Sequence, residues 1–169
     1  MPILATNSLD FTSHGHEQTL RYGVRIGQEL KGGDVLCLSG ELGAGKTTLA
    51  TGIGRGWGAL QTVTSPSFAL VHEYHRADNA QLHHLDCYRL AGAPDIETIS
   101  LTERLDAGVA LMIEWPEHIE PWLPTERLWV LMQYIKDEKR GLQLTATGGQ
   151  LEILLDTFRK TAFARGSPS

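Results

Sequence analysis

Eight consecutive residues constrain this chain more than any other feature. Gly40-Glu41-Leu42-Gly43-Ala44-Gly45-Lys46-Thr47 satisfies the pattern GxxxxGK[S/T] at every fixed position, a match expected by chance roughly 0.007 times in a chain of this length and composition. Its surroundings fit as well. Asp34-Val35-Leu36-Cys37-Leu38-Ser39 precedes it, a short apolar run that reads as a buried parallel strand. Lys46 opens a segment in which Leu49, Ile53 and Trp57 are spaced four apart and so share one helical face. A strand, a glycine-rich loop and a helix N-terminus together make a concavity of backbone N–H groups that collects phosphate oxygens. In such a loop Lys46 reaches the β- and γ-phosphates and Thr47 offers its hydroxyl to Mg²⁺. The expected fold is therefore α/β: a P-loop NTPase-like single domain with a central, mostly parallel sheet, added β-hairpins and flanking helices.

The rest of the chain can be read around this unit. Residues 2 to 6 could form a first strand, and Leu20, Val24 and Leu30 place a helix over about 13–31, weakened by Gly23 and Gly27 and stopped at Gly32-Gly33. Of 18 glycines, eleven fall between Gly23 and Gly58, which calls for tight turns or close approach of the backbone to something. Those at 52, 54, 56 and 58 are expected to end the second helix. Two strands, 68–75 and 81–88, form a hairpin about Ala77-Asp78-Asn79-Ala80. Pro94-Asp95 opens a helix to about Leu105. Val109 to Glu114 is a buried strand, Arg127–Ile135 and Gly141–Thr147 are a second hairpin, and 149–160 is a closing helix. The domain spans 1–161, with Ala162–Ser169 as a frayed tail.

Composition excludes several classes. With 169 residues the chain makes one domain. Its longest apolar stretches, such as Val109 to Ile113, fall far short of the ~20 residues a membrane helix needs. The N-terminus lacks the basic-then-apolar pattern of a secretory signal, so a cytoplasmic location is expected. A net charge of −5 argues against a protein that coats phosphate backbones. Cys37 and Cys87 have no paired spacing, so they read as buried small hydrophobes rather than as a zinc site or disulfide framework. His72, His75, His83 and His84 lie on adjacent expected strands, but consecutive residues point to opposite faces, so His83 and His84 cannot both join one metal site.

A nucleotide site also needs a carboxylate near the metal, usually at the end of a buried strand. Two residues qualify. Glu114 follows the cleaner strand and Asp86 a more polar one. Thr64-Ser65-Pro66-Ser67 has the hydroxyls and the stiff proline of a segment that senses the γ-phosphate. Guanine specificity is unsupported, since neither NKxD nor a suitably placed DxxG is present, and an LSGGQ-like segment is missing too. A small-molecule kinase remains an alternative, because Asp86-Cys87-Tyr88-Arg89 could hold an acceptor hydroxyl and a phosphate. Arg104, Arg127 and Arg140 are too scattered for the water-excluding lid that such kinases need. A non-catalytic adaptor, docking a partner on ATP binding alone, is a third possibility.

Four ordered motifs carry a resemblance. Gly40–Thr48, Ser65-Pro66-Ser67-Phe68, Leu85-Asp86-Cys87-Tyr88-Arg89-Leu90 and Glu114-Trp115-Pro116-Glu117 are similar to those of the TsaE (YjeE) family, over about residues 13 to 147. That family is the bacterial ATPase of threonylcarbamoyladenosine (t6A) modification, at adenosine 37 of tRNAs reading ANN codons. The resemblance implies binding of ATP and Mg²⁺, with Thr47 and Glu114 as metal ligands and Gly43, Ala44, Gly45, Lys46, Thr47 and Thr48 around the phosphates. It implies Lys46 and Asp86 in catalysis, Asp86 orienting water or acting as a switch. Trp115 would lie beside the nucleotide, and His16 and Arg140 would be further contacts. The implied partners are TsaB and TsaD, with tRNA held mainly by them. One departure is Ser67, where the family usually has threonine. No arginine finger is evident, so hydrolysis by the free chain should be slow and rise with partners.

Overall fold

The computed structural model describes residues 7–41, 43–63, 70–90 and 93–163. In chain order the elements are β1 (Ser8–Ser13), α1 (His16–Glu29), β2 (Val35–Ser39), α2 (Lys46–Trp57), β3 (Val71–His75), β4 (Gln81–Asp86), α3 (Ala93–Thr98) and α4 (Leu101–Asp106). They continue with β5 (Ala110–Glu114), a 3₁₀ segment (Pro116–Trp122), β6 (Arg127–Lys136), β7 (Lys139–Thr147) and α5 (Gly149–Ala162). The described strands form one sheet in the order β1-β7-β6-β2-β5-β4-β3. Its centre is parallel: β2 lies between β6 and β5, and β4 pairs with β5. The edges are antiparallel, where β3 pairs β4 and β7 pairs both β6 and β1.

Alternation along β2 explains the layering. Leu36 and Leu38 face a core shared with α1, α2 and α5, through residues such as Ile26, Leu49, Ile53 and Phe158. Val35 and Cys37 face a second core with Ile99, Leu101 and Ile119. Side chains of a strand alternate between faces, so a strand buried on both sides reads as an unbroken apolar run. Both cysteines are buried, and burial pushes each thiol up to about 12.

The two helices against the first core approach closely because they are glycine-rich. A Cβ on Gly27 would sit 2.1 Å from the Ile53 carbonyl oxygen, and one on Gly52 would sit 2.2 Å from that of Leu20. Gly23 and Gly56 meet the opposite helix in the same way. Glycines 52, 54 and 56 therefore do not end α2, contrary to the sequence expectation. They lie inside it, and only Gly58, at φ 101°, terminates it.

Other boundaries differ too. The expected strand at 2–6 lies outside the described residues, and the first described strand is β1. Its alternating Leu9 and Phe11, both packed against the first core, were the available period-two signal. The helix expected over 94–105 is two helices, broken where Ser100 takes a left-handed conformation at φ 53°. The second hairpin is longer than expected and turns at Asp137-Glu138. Ala162 and Phe163, expected in the tail, belong to the packed domain: α5 includes Ala162, and the Phe163 ring lies 5.2 Å from Phe11 and 5.8 Å from Tyr22. The expected hairpin strand at 68–75 is described from Val71 onward, and residues 64–69, with the hydroxyl segment, lie outside the described residues.

Candidate functional site

The parallel strands β2, β5 and β4 end side by side at Ser39, Glu114 and Asp86. The register places Leu38 opposite Glu114, and Glu114 opposite Asp86. Ser39 leads into the glycine-rich loop, which bends back into α2. Gly43 and Gly45 make that bend with φ of 82° and 105°, values that L side chains adopt only at a cost. Gly45 is the N-cap and Lys46 the first helical residue, so the unpaired N–H groups of the first turn and the positive end of the helix dipole lie at the loop.

Lys46 is the centre of the arrangement. It is 6% exposed; its Nζ donates to the Gly40 carbonyl and sits 3.7 Å from the centre of the Trp115 ring. Burial pushes its pKa down, and the negative charges of Glu114, Glu117 and Asp86 oppose that shift. Among the described residues no carboxylate is within 4.0 Å of Nζ. The amine is thus held by a carbonyl and an aromatic face within a negative surround, and its charge has no ion-pair partner there. A phosphate would supply what those neighbours lack.

Trp115 follows β5 and caps the 3₁₀ segment at φ 59° and ψ 49°, a left-handed conformation unusual for a bulky side chain. Strain of this kind clusters at functional sites. Here it turns the indole over Lys46, with the rings of Tyr88 and His118 at 4.9 and 5.7 Å. Beside the loop a cleft of about 470 Å³ is bounded by Ser39, Gly40, Ala44, Trp115, Glu117 and Met132, among others.

The remaining residues named from the sequence lie around the same loop. Thr47 is exposed and Thr48 half-buried on the first turn of α2, and His16 Nδ1 is 3.2 Å from Thr48 Oγ1. Arg140, on β7, borders the loop: a Cβ placed on Gly45 would lie 3.9 Å from its Cγ. Its guanidinium lies over Tyr134 and donates to the carbonyls of Asp137 and Lys139, while its Nε is buried without a hydrogen-bond partner. Asp86 Oδ1 accepts the N–H of Tyr88. Arg104 and Arg127 are taken up elsewhere, in ion pairs with Glu73 and Glu120.

Three contacts escaped the sequence reading. Ser39 Oγ donates to Glu117 Oε2 at 2.7 Å; both residues lie within or beside motifs already singled out, but their pairing links β2 to the 3₁₀ segment across 78 positions. His84 is 2.6 Å from Glu114. Its place two residues before Asp86, on the same face of β4, was the usable signal. His83 faces the other way, accepting from Arg104.

Strand, glycine loop, helix N-terminus and strand-end carboxylates on a parallel sheet define a P-loop α/β domain. The family described as "Threonylcarbamoyl adenosine biosynthesis protein TsaE" matches residues 13–142, and the chain belongs to the TsaE family. It is 37% identical over 126 residues to the tRNA threonylcarbamoyladenosine biosynthesis protein TsaE of Bacillus subtilis, covering 75% of this chain and 78% of that protein. To the protein of the same name from Nostoc it is 35% identical over 147 residues, covering 83% and 88%. A crystal structure of Bacillus subtilis YdiB superimposes with a TM-score of 0.75 at 30% identity, covering 92% of this chain and 97% of that one.

Proposed function

We propose that this protein is a Mg²⁺-dependent ATPase of tRNA t6A modification that works in the cytoplasm with TsaB and TsaD partners. The single observation carrying the reading is the loop itself: Gly43 and Gly45 in left-handed conformations, Lys46 at the first position of α2, and three carboxylates bearing on its amine. The names of the relatives supply the pathway. The net charge of −5 supports a division of labour in which partners hold the tRNA, since phosphate-backbone binding calls for a basic surface.

The donor set fits a magnesium ion. Mg²⁺ takes hard oxygen ligands, usually one or two from the protein beside waters and phosphate oxygens. Thr47 and Glu114 would hold it here, and the bound ion would neutralise charge on the β- and γ-phosphates. This chain's own residues do the rest. The loop N–H groups and Lys46 stabilise charge on the transferring phosphoryl. Asp86, at the adjacent strand end, orients the attacking water, and Trp115 shields Lys46 from solvent. His16 and Arg140 position the nucleotide beyond the phosphates. With no arginine finger evident in the sequence, hydrolysis is slow until partners contribute.

Turnover measured alone and with TsaB and TsaD tests this reading. Lys46→Ala should lose roughly 10²–10³ in rate, a loss of about 3–4 kcal/mol in barrier lowering by analogy with single oxyanion donors. Glu114→Gln should lose turnover while remaining folded. Undiminished turnover in either would contradict it, and faster transfer to a metabolite than to water would turn the reading towards a kinase.

A further inference from the structure

The pair His84–Glu114 stands out among the buried polar contacts. His84 has no exposed surface and Glu114 is 6% exposed, and they meet at 2.6 Å, Nε2 to Oε2. An ionised carboxylate can only accept, so Nε2 carries the proton and donates. The other ring nitrogen, Nδ1, is buried with no hydrogen-bond partner among the described residues. Such an unsatisfied group is destabilising, and one retained in a fold calls for an explanation. Leucine would fill a similar space without that cost. What the imidazole provides, and an apolar side chain would not, is the single bond to Glu114.

The surroundings hold the ring for that bond. His84 lies on the central part of β4 with Met112 beside it on β5 and His72 on β3, and the Tyr74 ring is 6.2 Å away. Asp86 follows on the same face of the strand. Glu114 is bonded through Oε2 alone in this pair, which fixes the rotation of the carboxylate and leaves Oε1 outside it.

We infer that His84 is a positioning residue for the metal site: it orients the Glu114 carboxylate so that the free oxygen is presented to Mg²⁺. This rests on the reading that Glu114 is a metal ligand. Outer-shell partners that orient a ligand typically change metal affinity 10–100-fold when removed. A residue that merely fills the core would leave that affinity alone.

The test separates metal from nucleotide. A fluorescent ATP analogue is titrated into the full-length protein in EDTA, and then Mg²⁺ dependence of binding is measured at fixed nucleotide. His84→Leu should raise the Mg²⁺ midpoint 10-fold or more and leave metal-free nucleotide binding within about twofold of native. His84→Gln, whose amide N–H reaches the position of Nε2, should return the midpoint to within a few-fold. His84→Asn, polar but too short to reach Glu114, should behave like His84→Leu, and it decides the matter if the leucine variant does not fold. A native midpoint in a folded His84→Leu or His84→Asn protein overturns the proposal, as does a Gln variant no better than Asn. Glu114→Gln distinguishes the two failures. If it shifts the midpoint and the His84 variants do not, only the role of His84 falls; if neither shifts it, the assignment of Glu114 to the metal falls as well.

Discussion

Glycine does two different jobs within thirty-six residues of this chain, and the contrast between the phosphate loop and the helix pair beneath it separates function from fold. In the loop, Gly43 has φ 82° and a Cβ there would meet nothing within 4 Å. Space is free, and the backbone conformation is what requires glycine. Between α1 and α2 the situation is reversed. Gly27 and Gly52 are ordinary helical residues, and what requires glycine is the partner backbone about 2 Å from a would-be Cβ. The first set shapes the loop that leads into α2; the second brings the helix that bears Lys46 and Thr47 close against its neighbour.

The largest expected effect belongs to the helix pair. Alanine is about 1 kcal/mol better than glycine in a helix interior, but the neighbouring atom is backbone and cannot swing aside. Overpacking of this kind costs about 1–3 kcal/mol, occasionally more. Gly27→Ala should therefore lower the melting temperature by several degrees, about 2–4 °C per kcal/mol for a chain this size, with Gly27→Ala/Gly52→Ala worse. An unchanged melting temperature would break the contrast. Next come Gly43→Ala and Gly33→Ala. Both residues are left-handed, at φ 82° and 89°, and both are free of neighbours, so each substitution should cost about 1–2 kcal/mol of backbone strain. Only Gly43→Ala should weaken Mg-ATP binding, by up to about tenfold, because its loop relaxes when empty and must be driven back. Equal binding losses in the two would mean that the loop conformation is not specific to the ligand.

The smallest effect concerns pH. Burial holds the Lys46 amine below its ordinary value. Between the lowered and the ordinary lysine value the unfolded chain binds more protons, so this residue makes stability rise with pH in that window. The buried Cys37 and Cys87 thiols, pushed up to about 12, act in the opposite direction. The informative quantity is therefore the difference between native protein and Lys46→Met in denaturant titrations, which should narrow as pH rises. A difference constant up to the ordinary lysine value would show that the amine is not desolvated.

Much of this was legible in the sequence, and the parts that were not share a cause. The loop, β2, α2 and β5 could be read because their signals are local: a spaced motif, an apolar run, a four-residue period. The ends of α2 could not, because the meaning of Gly52 and Gly56 depends on a helix some thirty residues away, and that of Gly54 on Val63 beyond the end of its own helix. The break at Ser100 and the conformation of Trp115 are likewise imposed by packing rather than by propensity. In the site, Lys46 and Glu114 followed from motif and strand quality, whereas His84 is a single residue whose role appears only when β4 lies beside β5.

Calorimetric titration of the well-folded native chain with ATP in the presence of Mg²⁺ tests the central claim most directly. Saturable one-site binding is predicted, abolished or strongly weakened by Lys46→Ala in a protein that remains folded. No heat of binding from the folded native protein would contradict it.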